Sequence, residues 1–212
     1  MKSNAMTYVV DDDPAVREGL CALLDSVSIA TRAFASANEF LQVADPSMVG
    51  CLVVDVRMPG MSGMELLQIL KGRGIHLPVI VISGHGDVAM AVRAMKAGAV
   101  DFLLKPFNEQ ELLDQVLASI NQSDQDLSLQ QTREQAALRF TDLTPRERQV
   151  LEKIMECQHS KAIAFDLGIS EKTVDVHRFN IMRKTGTRNI SQLIQLRIQA
   201  GDADSMSNPD IS

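Results

Sequence analysis

The sequence predicts an α/β domain with a parallel sheet, followed by a smaller all-α domain that contains a helix-turn-helix. Three observations lead to this fold class. Short apolar runs alternate with helical segments up to about residue 120, which is typical of parallel strands covered by helices on both faces. Four short helical segments follow within residues 142–200. The charge also changes sign, because residues 6–125 carry 8 basic and 15 acidic side chains, whereas residues 142–200 carry 10 basic and 7 acidic ones.

The composition is that of an ordinary globular protein, with 45% hydrophobic and 23% charged residues among 212. No apolar run is long enough to cross a bilayer, and the N-terminus lacks the apolar core of a signal peptide, so we expect a cytoplasmic protein. The three cysteines have no metal or disulfide spacing. Residues 1–5 are interpreted as a tag remnant and residues 201–212 as a disordered tail, which leaves domains at 6–125 and 142–200.

Five strands and five helices are predicted to alternate in the first domain. The strands are the apolar runs at residues 7–12, 30–36, 51–56, 78–83 and 101–106. Helical spacing of apolar residues predicts four helices at residues 14–27, 63–74, 88–98 and 108–120, and a further helix is expected between the second and third strands. The inward face of the first helix is predicted to carry Val16, Leu20, Leu23, Leu24 and Val27.

Residues 126–141 are predicted to form a linker, since the apolar density falls after residue 121 while Gln, Ser and Asp accumulate. Good helix formers in this stretch favour a helical linker. In the second domain, Thr144 is the predicted N-cap of the first helix and Pro145 its first residue. Three more helices are predicted at residues 160–168, 170–186 and 189–199. A short turn at Gly168 makes the helix-turn-helix pattern, and a plain helical hairpin with a solvated basic face is the alternative. Its predicted core is Ala162, Ile163, Leu167, Ile169, Val174 and Ile181.

Polar side chains stand at the carboxyl ends of four predicted strands: Asp11 and Asp12, Asp55, Ser83, and Lys105. These ends are neighbours in an open parallel sheet, and ligands bind there. Three carboxylates repel one another unless a cation lies among them, and Mg²⁺ with oxygen ligands meets that need. We therefore hypothesise that the three aspartates bind the metal and that Asp55 accepts a phosphoryl group. Lys105 supplies positive charge, and Ser83 supplies a hydroxyl for a phosphoryl oxygen.

Residues 7–125 resemble the receiver domain of two-component response regulators, through the motifs VVDDDPAVR, VVDVRMPGMSG, VISGHGD and AMKAGAVDFLLKPF. The resemblance implies a flavodoxin-like (βα)5 fold, a sensor histidine kinase as phosphodonor, and Mg²⁺ or Mn²⁺ as cofactor. It also implies that Asp11 and Asp12 are the metal-binding pair and that Asp55 is the phosphoacceptor.

Three further positions take roles from this resemblance. Ser83 is implied to follow the phosphoryl group, Lys105 to pair with it, and Phe102 to report phosphorylation through its rotamer. The Lys105–Pro106 peptide bond is implied to be cis. Ser83 stands where threonine is commoner, and Phe102 stands where tyrosine is commoner. The hydroxyl is kept at the first position, whereas a switch through a phenolic hydrogen bond is lost at the second.

The stretches LTPRERQVL and KAIAFDLGISEKTVDVHRFNIMRKTG resemble the LuxR-type DNA-binding domain. Together with the receiver they place residues 7–200 in the NarL/FixJ class of response regulators, and the run SGHGDVAMAVRAMKAGAVDFLLKPF is more similar to the FixJ branch. The resemblance implies four helices, of which the third lies in the major groove and the fourth pairs two protomers. The candidate DNA-binding residues are Lys172, Thr173, Asp175, Val176, His177, Arg178, Phe179 and Lys184.

Among these candidates, Asp175, Val176 and Phe179 are the predicted base contacts. Asp175 is suited to accept a hydrogen bond from cytosine N4 and Val176 to contact a thymine methyl group. Phe179 either contacts a thymine methyl group or packs on the sugar edge. The other candidates are expected to contact phosphates and so fix the position of the helix on the duplex. For His177, packing into the protein core is the alternative.

These resemblances imply a transcriptional regulator that phosphorylation switches, that forms a homodimer and that binds promoter DNA, with RNA polymerase as a candidate partner. A phosphatase with an aspartate nucleophile is the enzymatic alternative, but Arg57 stands where such an enzyme would carry a second aspartate. A module that stores phosphoryl groups or binds another protein is the second alternative. The preferred interpretation is a protein that is not an enzyme, apart from slow loss of its own phosphoryl group.

Overall fold

The computed structural model of the protein describes residues 5–84 and 88–201. The chain divides between Ser128 and Leu129 into two compact units. The predicted tag remnant and disordered tail lie outside the described residues, apart from Ala5 and Gly201. No helix within the two described ranges is long and apolar enough to cross a membrane.

The first unit contains a parallel sheet with the strand order β2-β1-β3-β4-β5. The strands are β1 Met6–Val10, β2 Thr31–Phe34, β3 Gly50–Asp55, β4 Val79–Ser83 and β5 Asp101–Leu104. The helices are α1 Pro14–Ser26, α2 Ala37–Leu41, α3 Gly63–Gly72, α4 Val88–Ala97 and α5 Glu109–Leu138. The predicted α/β fold with a parallel sheet is confirmed.

Both faces of this sheet are covered, which explains why the strands are continuous apolar runs. Tyr8 and Val10 of β1 point into one hydrophobic core, whereas Val9 between them points into the other. The residues of β3 alternate between the two cores in the same way. Because an unpaired carboxylate is costly in either core, the charged residue of β3 is tolerated only where the strand ends, at Asp55.

Side-chain caps supplied by the sequence start the helices that flank the site. Asp13 accepts a hydrogen bond from Ala15 N at the start of α1. Ser62 and Glu65 form a reciprocal capping box at the start of α3. The predicted inward position of Val27 is wrong, because α1 ends at Ser26 and the side chain of Val27 lies exposed beyond it.

Helix α5 continues beyond the predicted end at residue 120, as far as Leu138. No proline or glycine interrupts it, and side-chain pairs four residues apart support its exposed part, such as Gln122 Nε2 to Asp126 Oδ1 at 3.0 Å. Residues 126–138 of the predicted linker are therefore helical. In the first unit, Ser123 Oγ accepts a hydrogen bond from Gly50 N (3.0 Å), which fastens α5 to the start of β3.

The second unit is helical, with α6 Pro145–Met155, α7 Ser160–Leu167, α8 Glu171–Thr185 and α9 Ile190–Ala200. Thr144 caps α6 and forms a capping box with Glu147. Gly168 ends α7 with φ 64°, a left-handed conformation that favours glycine, and the chain turns there into α8. The predicted all-α domain with a helix-turn-helix is confirmed.

The hydrophobic core of the second unit contains most of the predicted residues. Ile163, Val174 and Ile181 are fully buried in it. Ala162 is exposed, so its predicted core position is wrong. The inward face of the short helix α7 is taken by Ile163 and Ala164, and Ala162 is rotated away from that face.

Candidate functional site

The carboxyl ends of β1 and β3 bring two acidic residues together. Val10 of β1 is paired with Val54 of β3. Asp11 follows Val10 and Asp55 follows Val54, so the two aspartates lie side by side. Asp11 is 1% exposed and Asp55 is 6% exposed. Because a buried carboxylate without a partner is costly, this pair requires positive charge or hydrogen-bond donors.

Lys105, the residue after β5, supplies that positive charge. Its Nζ lies 2.7 Å from Asp11 Oδ2 and 2.7 Å from Asp55 Oδ1. Burial alone would lower the pKa of Lys105, but the hydrogen bonds and charges of the two carboxylates outweigh burial and hold the pKa above its ordinary value. The ammonium is therefore charged at neutral pH and joins the ends of three strands.

Backbone amides complete the surroundings of the two carboxylates. Asp13 N donates to Asp11 Oδ1 at 2.9 Å, and Arg57 N donates to Asp55 Oδ2 at 2.5 Å. Arg17 Nη1 donates to the backbone oxygen of Asp11 at 2.6 Å. Each carboxylate oxygen thus has a donor, which fixes the orientation of both groups.

Ser83 lies on β4, the strand next to β3, and Phe102 lies on β5, the strand after that. Ser83 ends β4, is 1% exposed, and accepts a hydrogen bond at its backbone oxygen from Lys105 N at 2.8 Å. Phe102 is paired with Val81 and packs, half-buried, against the core on one face of the sheet. The Lys105–Pro106 peptide bond is cis, as the resemblance implied.

The three predicted metal ligands, Asp11, Asp12 and Asp55, differ in exposure. Asp12 is exposed whereas Asp11 is buried, and Asp12 stands at a bend that follows the end of β1. Within residues 5–84 and 88–201, no three His, Cys, Asp or Glu side chains are grouped to hold a metal ion. Asp11 and Asp55 both contact the Lys105 ammonium. Their hard carboxylate oxygens are a donor set that fits Mg²⁺ with water in the remaining positions.

An open apolar cavity of about 320 Å³ lies beside Lys105. Its lining residues are Val16, Gly19, Leu20, Leu23, Lys105, Pro106, Phe107 and Glu109. The sequence assigned Val16 and Leu23 to the inward face of α1, but both are only half-buried. The α1 face carries more apolar residues than the core buries. This excess indicates that part of the face lines an accessible apolar surface.

Helix α8 presents one accessible face of the second unit. Its exposed residues include Lys172, Thr173, Asp175, Val176, Phe179 and Arg183. Val176 is 52% exposed and Phe179 is 63% exposed, so neither belongs to the core. The three predicted base contacts therefore lie together on accessible surface, one helical turn from first to last.

The other predicted DNA-binding residues of α8 are partly withdrawn from solvent. His177, Arg178 and Lys184 are half-buried. Arg178 Nη1 donates to Ser160 Oγ at 2.6 Å, and Lys184 Nζ lies 2.7 Å from Glu147 Oε2. Contact with a DNA phosphate would compete with these bonds.

Glu147 of α6 is a buried acid, 3% exposed. Burial alone would raise the pKa of Glu147, but hydrogen bonds from Lys184 and Thr144 and the charge of Lys184 outweigh burial and hold the pKa below its usual value. Lys184 thus ties α8 to α6. No sequence spacing indicated this contact, because the two residues lie on different helices.

Comparison with known proteins assigns a family to each part of the chain. Residues 7–117 match the family described as "Response regulator receiver domain", and residues 141–197 match "Bacterial regulatory proteins, luxR family". Over 203 residues the chain is 45% identical to the transcriptional regulatory protein FixJ of Azorhizobium caulinodans, with 96% of each chain covered. The chain belongs to the FixJ-type response regulators. The receiver and LuxR-type resemblances, and the placement in the FixJ branch, are confirmed.

Other FixJ-type relatives agree with this assignment. The response regulator protein TodT of Pseudomonas putida is 42% identical over 199 residues, which cover 94% of this chain and 88% of TodT. The structure of response regulator StyR matches with a TM-score of 0.80 at 45% identity, covering 91% of this chain and 97% of StyR. Full-length FixJ from B. japonicum matches with a TM-score of 0.57 at 40% identity, covering 94% and 98%.

As a FixJ-type response regulator, the protein is a two-component transcriptional regulator and not an enzyme of the usual kind. Its receiver domain implies a histidine kinase as partner, and its LuxR-type domain implies DNA binding. Receiver domains generally depend on Mg²⁺ for phosphorylation, which agrees with the carboxylate donors at the ends of β1 and β3.

Proposed function

We propose that a histidine kinase phosphorylates this regulator on Asp55, and that the phosphorylated form dimerises and binds promoter DNA. The observation that carries the proposal is the contact of Lys105 Nζ with both Asp11 and Asp55, at 2.7 Å from each. A lysine that already neutralises two carboxylates lies where it can balance the charge of a phosphoryl group added to one of them.

In this transfer, a carboxylate oxygen of Asp55 attacks the phosphorus of a phosphohistidine. The O–P bond forms as the P–N bond breaks, and the electron pair of the broken bond leaves with the imidazole, so that Asp55 becomes an acyl phosphate. Arg57 N and Lys105 hold the carboxylate in position beforehand. Asp11 and Asp55, with Asp12 as a further predicted ligand, would hold Mg²⁺ or Mn²⁺, which would neutralise charge at the phosphoryl oxygens.

The kinase is proposed to approach over the cavity beside Lys105. Val16 and Leu23 offer apolar contacts there, and Phe107 belongs to the same lining. A helix of the kinase that packs on this surface would bring its phosphohistidine next to Asp55. The hydroxyl of Ser83, at the end of the neighbouring strand, would then hydrogen-bond the transferred group.

Phosphorylation is proposed to change the face formed by α4 and β5. Val92 and Met95 of α4 and Leu104 of β5 are each about half exposed, at 45%, 48% and 50%. A movement of Phe102 that follows Ser83 toward the acyl phosphate would reshape this face. Pairing of two copies would then bury its apolar side chains, and conversion of a mostly inactive population to a mostly active one requires about 5.5 kcal/mol of differential stabilisation.

In the dimer, two α8 helices are proposed to enter major grooves one helical turn apart. Asp175, Val176 and Phe179 would read base edges, while Lys172 and Thr173 would contact phosphates. The net positive charge of residues 142–200 favours this contact. Contact with RNA polymerase stays a prediction, as does the cytoplasmic location.

The proposal is tested on the full chain with Mg²⁺ and acetyl phosphate, beside the variant Asp55→Asn. Sedimentation velocity gives the dimer fraction, and fluorescence anisotropy with a labelled random-sequence duplex gives the DNA affinity at low salt. We expect the donor to raise both quantities in the wild type, with an affinity gain of about tenfold, and to change neither in the variant. An equal gain in the variant, or no DNA binding at low salt, would contradict the proposal.

We also propose that the regulator hydrolyses its own acyl phosphate slowly and turns over no external phosphoester. Arg57 occupies the position two residues after Asp55, and its backbone N–H is directed at the Asp55 carboxylate, so no acid is available there to protonate a leaving group. With para-nitrophenyl phosphate and Mg²⁺, the wild type should match the Asp55→Asn background. Sustained turnover above that background would favour the phosphatase alternative.

A further inference from the structure

One serine ties the recognition helix α8 to helix α7. Ser160, the first residue of α7, donates from Oγ to Asp175 Oδ1 at 3.1 Å and accepts from Arg178 Nη1 at 2.6 Å. A hydroxyl carries one donor hydrogen and two acceptor lone pairs, so it makes both bonds at the same time. Ser160 therefore bridges a carboxylate and a guanidinium that stand three residues apart on α8.

Without this bridge, Asp175 and Arg178 would be expected to pair directly. Opposite charges at positions i and i+3 of a helix are neighbours and attract each other. Within the described residues 5–84 and 88–201, Asp175 and Arg178 form no ion pair with each other. Each side chain is hydrogen-bonded to Ser160 instead. A direct pair would neutralise the Asp175 carboxylate and occupy the acceptor atoms that base recognition needs.

The hydroxyl of Ser160 is not explained by helix capping. Serines at the start of helices commonly accept a hydrogen bond from the first turn as the N-cap residue. Here the N-cap of α7 is His159, whose side chain makes no capping hydrogen bond, and Ser160 is already helical. The bonds of its hydroxyl go to α8.

We propose that Ser160 is a specificity-determining positioning residue for DNA recognition. By holding Asp175 and Arg178 apart, it directs the Asp175 carboxylate toward a base edge that offers an amine donor, such as cytosine N4, and leaves Arg178 on the phosphate side. The inference rests on the proposed function, in which α8 lies in the major groove. It assigns part of the base selectivity to α7, outside the recognition helix.

The test is selection from a pool of duplexes with about 20 randomised base pairs, enough for two half-sites one helical turn apart. It uses the full chain with Mg²⁺ and acetyl phosphate, as wild type, Asp175→Asn, Ser160→Ala and Ser160→Thr. The base pair whose preference changes in Asp175→Asn is the one that Asp175 reads. At that base pair we expect Ser160→Ala to lose about five- to tenfold of the preference, and Ser160→Thr to keep most of it because the hydroxyl is retained.

Two controls separate selectivity from folding. Ser128→Ala, an exposed serine of α5, should select the wild-type sequence, and far-UV circular dichroism should be the same for all variants. A uniform loss of affinity for all sequences in Ser160→Ala would show a merely structural role and overturn the inference. A preference that changes in Asp175→Asn but not in Ser160→Ala would overturn it and leave the proposed function standing, whereas a wild type that enriches no sequence would overturn both.

Discussion

At the scale of single residues, the proposed acceptor site depends on charges that stabilise one another. Asp11 and Asp55 are both nearly inaccessible to solvent, and each would be costly there without Lys105. The backbone amides of Asp13 and Arg57 leave neither carboxylate free to rotate. This arrangement explains why an otherwise apolar strand ends in a carboxylate, and it gives a phosphoryl donor a nucleophile of fixed orientation.

A glycine allows α3 to begin directly beside Asp55. A Cβ at Gly63 would lie 2.3 Å from the Asp55 backbone oxygen and 3.0 Å from Val54 Cγ2. We expect Gly63→Ala to lower the free energy of unfolding of the first unit by about 1–3 kcal/mol and to slow phosphorylation. Urea unfolding followed by the fluorescence of Tyr8, which is the single tyrosine in a chain without tryptophan, measures the first effect.

Gly72, at the end of the same helix, is the matched control for Gly63. A Cβ there meets no atom within 4 Å, so Gly72→Ala should leave stability unchanged or raise it by up to about 1 kcal/mol. Equal stability of the Gly63→Ala variant and the wild type would show that the close approach of α3 to β3 is not required.

The hydroxyl of Thr7 is buried without a hydrogen bond to any described residue. Thr7→Val removes a desolvated polar group and keeps the branched shape, so we expect the free energy of unfolding to rise by about 1 kcal/mol. Thr31 is paired with Thr7 across β1 and β2, but its Oγ1 donates to Asp25 Oδ1 at 3.2 Å, so Thr31→Val should bring no gain. The same Tyr8-monitored unfolding tests both, and a Thr7→Val variant less stable than the wild type would refute the expectation.

The convergence of Asp11, Asp55 and Lys105 could be predicted from the sequence, because the carboxyl ends of parallel strands meet at one edge. The difference in exposure between Asp11 and Asp12 could not, since it depends on how the chain bends after β1. The partners of Lys184 and the bridge made by Ser160 were also missed. Both are contacts between two different helices, whereas helix periodicity describes only neighbours within one helix.

At the scale of elements, the second unit is built around contacts that α8 makes on two sides. Lys184 near its end binds Glu147 of α6, and Asp175 and Arg178 near its start bind Ser160 of α7. These bonds fix the direction of α8 in the unit. They leave the side chains of Val176 and Phe179 outward, where bases can reach them.

The bond between α6 and α8 should make the second unit sensitive to acid. The folded pKa of Glu147 lies below that of the unfolded chain, so the ionised carboxylate stabilises the fold. This stabilisation is present in full above the unfolded value of about 4.3 and is lost as the pH falls through the lower folded value. We expect Glu147→Gln to destabilise the unit by about 1–3 kcal/mol at pH 7, with a difference from the wild type that shrinks only below about pH 4.3.

Hydrogen exchange of peptides that cover α6 and α8, measured by mass spectrometry at neutral and acidic pH, checks this expectation. Glu152→Gln is the control, since Glu152 is exposed on the same helix. Equal protection of the Glu147→Gln variant and the wild type at pH 7 would contradict a stabilising role for the buried ion pair.

Two lysines of α8 should behave differently on DNA. Lys172 is exposed, so Lys172→Ala should weaken binding to all sequences alike, reduce the salt slope by about one, and leave stability unchanged. Lys184 is bound to Glu147, so Lys184→Ala should lower the thermal stability of the second unit. Salt titrations of duplex affinity and thermal unfolding of both variants test this distinction. A Lys184→Ala variant that changes only the salt slope and keeps the thermal stability of the wild type would contradict it.

Most elements could be predicted because apolar periodicity and capping residues mark them. The continuity of α5 could not, because its second half has few apolar residues and its composition predicts a separate helical linker. A helix continues as long as its backbone bonds and side-chain pairs persist, whether or not it has an apolar face. Pairs such as Gln130 Nε2 to Glu134 Oε1, at 2.9 Å, have no counterpart in a hydrophobicity pattern.

At the scale of the whole molecule, the chain combines an acidic receiver with a basic DNA-binding domain. Each unit has its own hydrophobic core. In the proposed function each unit carries one part: phosphoryl chemistry at Asp55, and base recognition on α8. In the proposed function a phosphoryl group adds a charge of about −1.5 to −2 beside Lys105. The proposed later steps, from the movement of Phe102 to the pairing of two copies, depend on that addition.

Intact mass spectrometry after incubation with Mg²⁺ and acetyl phosphate tests this central claim most directly, with the full chain beside Asp55→Asn and a sample that contains a chelator. The account predicts one added phosphoryl group in the wild type and none in the variant or the chelated sample. An adduct that persists in Asp55→Asn would assign the acceptor to another residue. No adduct in the wild type with acetyl phosphate or with a phosphorylated histidine kinase would show that the site does not accept a phosphoryl group.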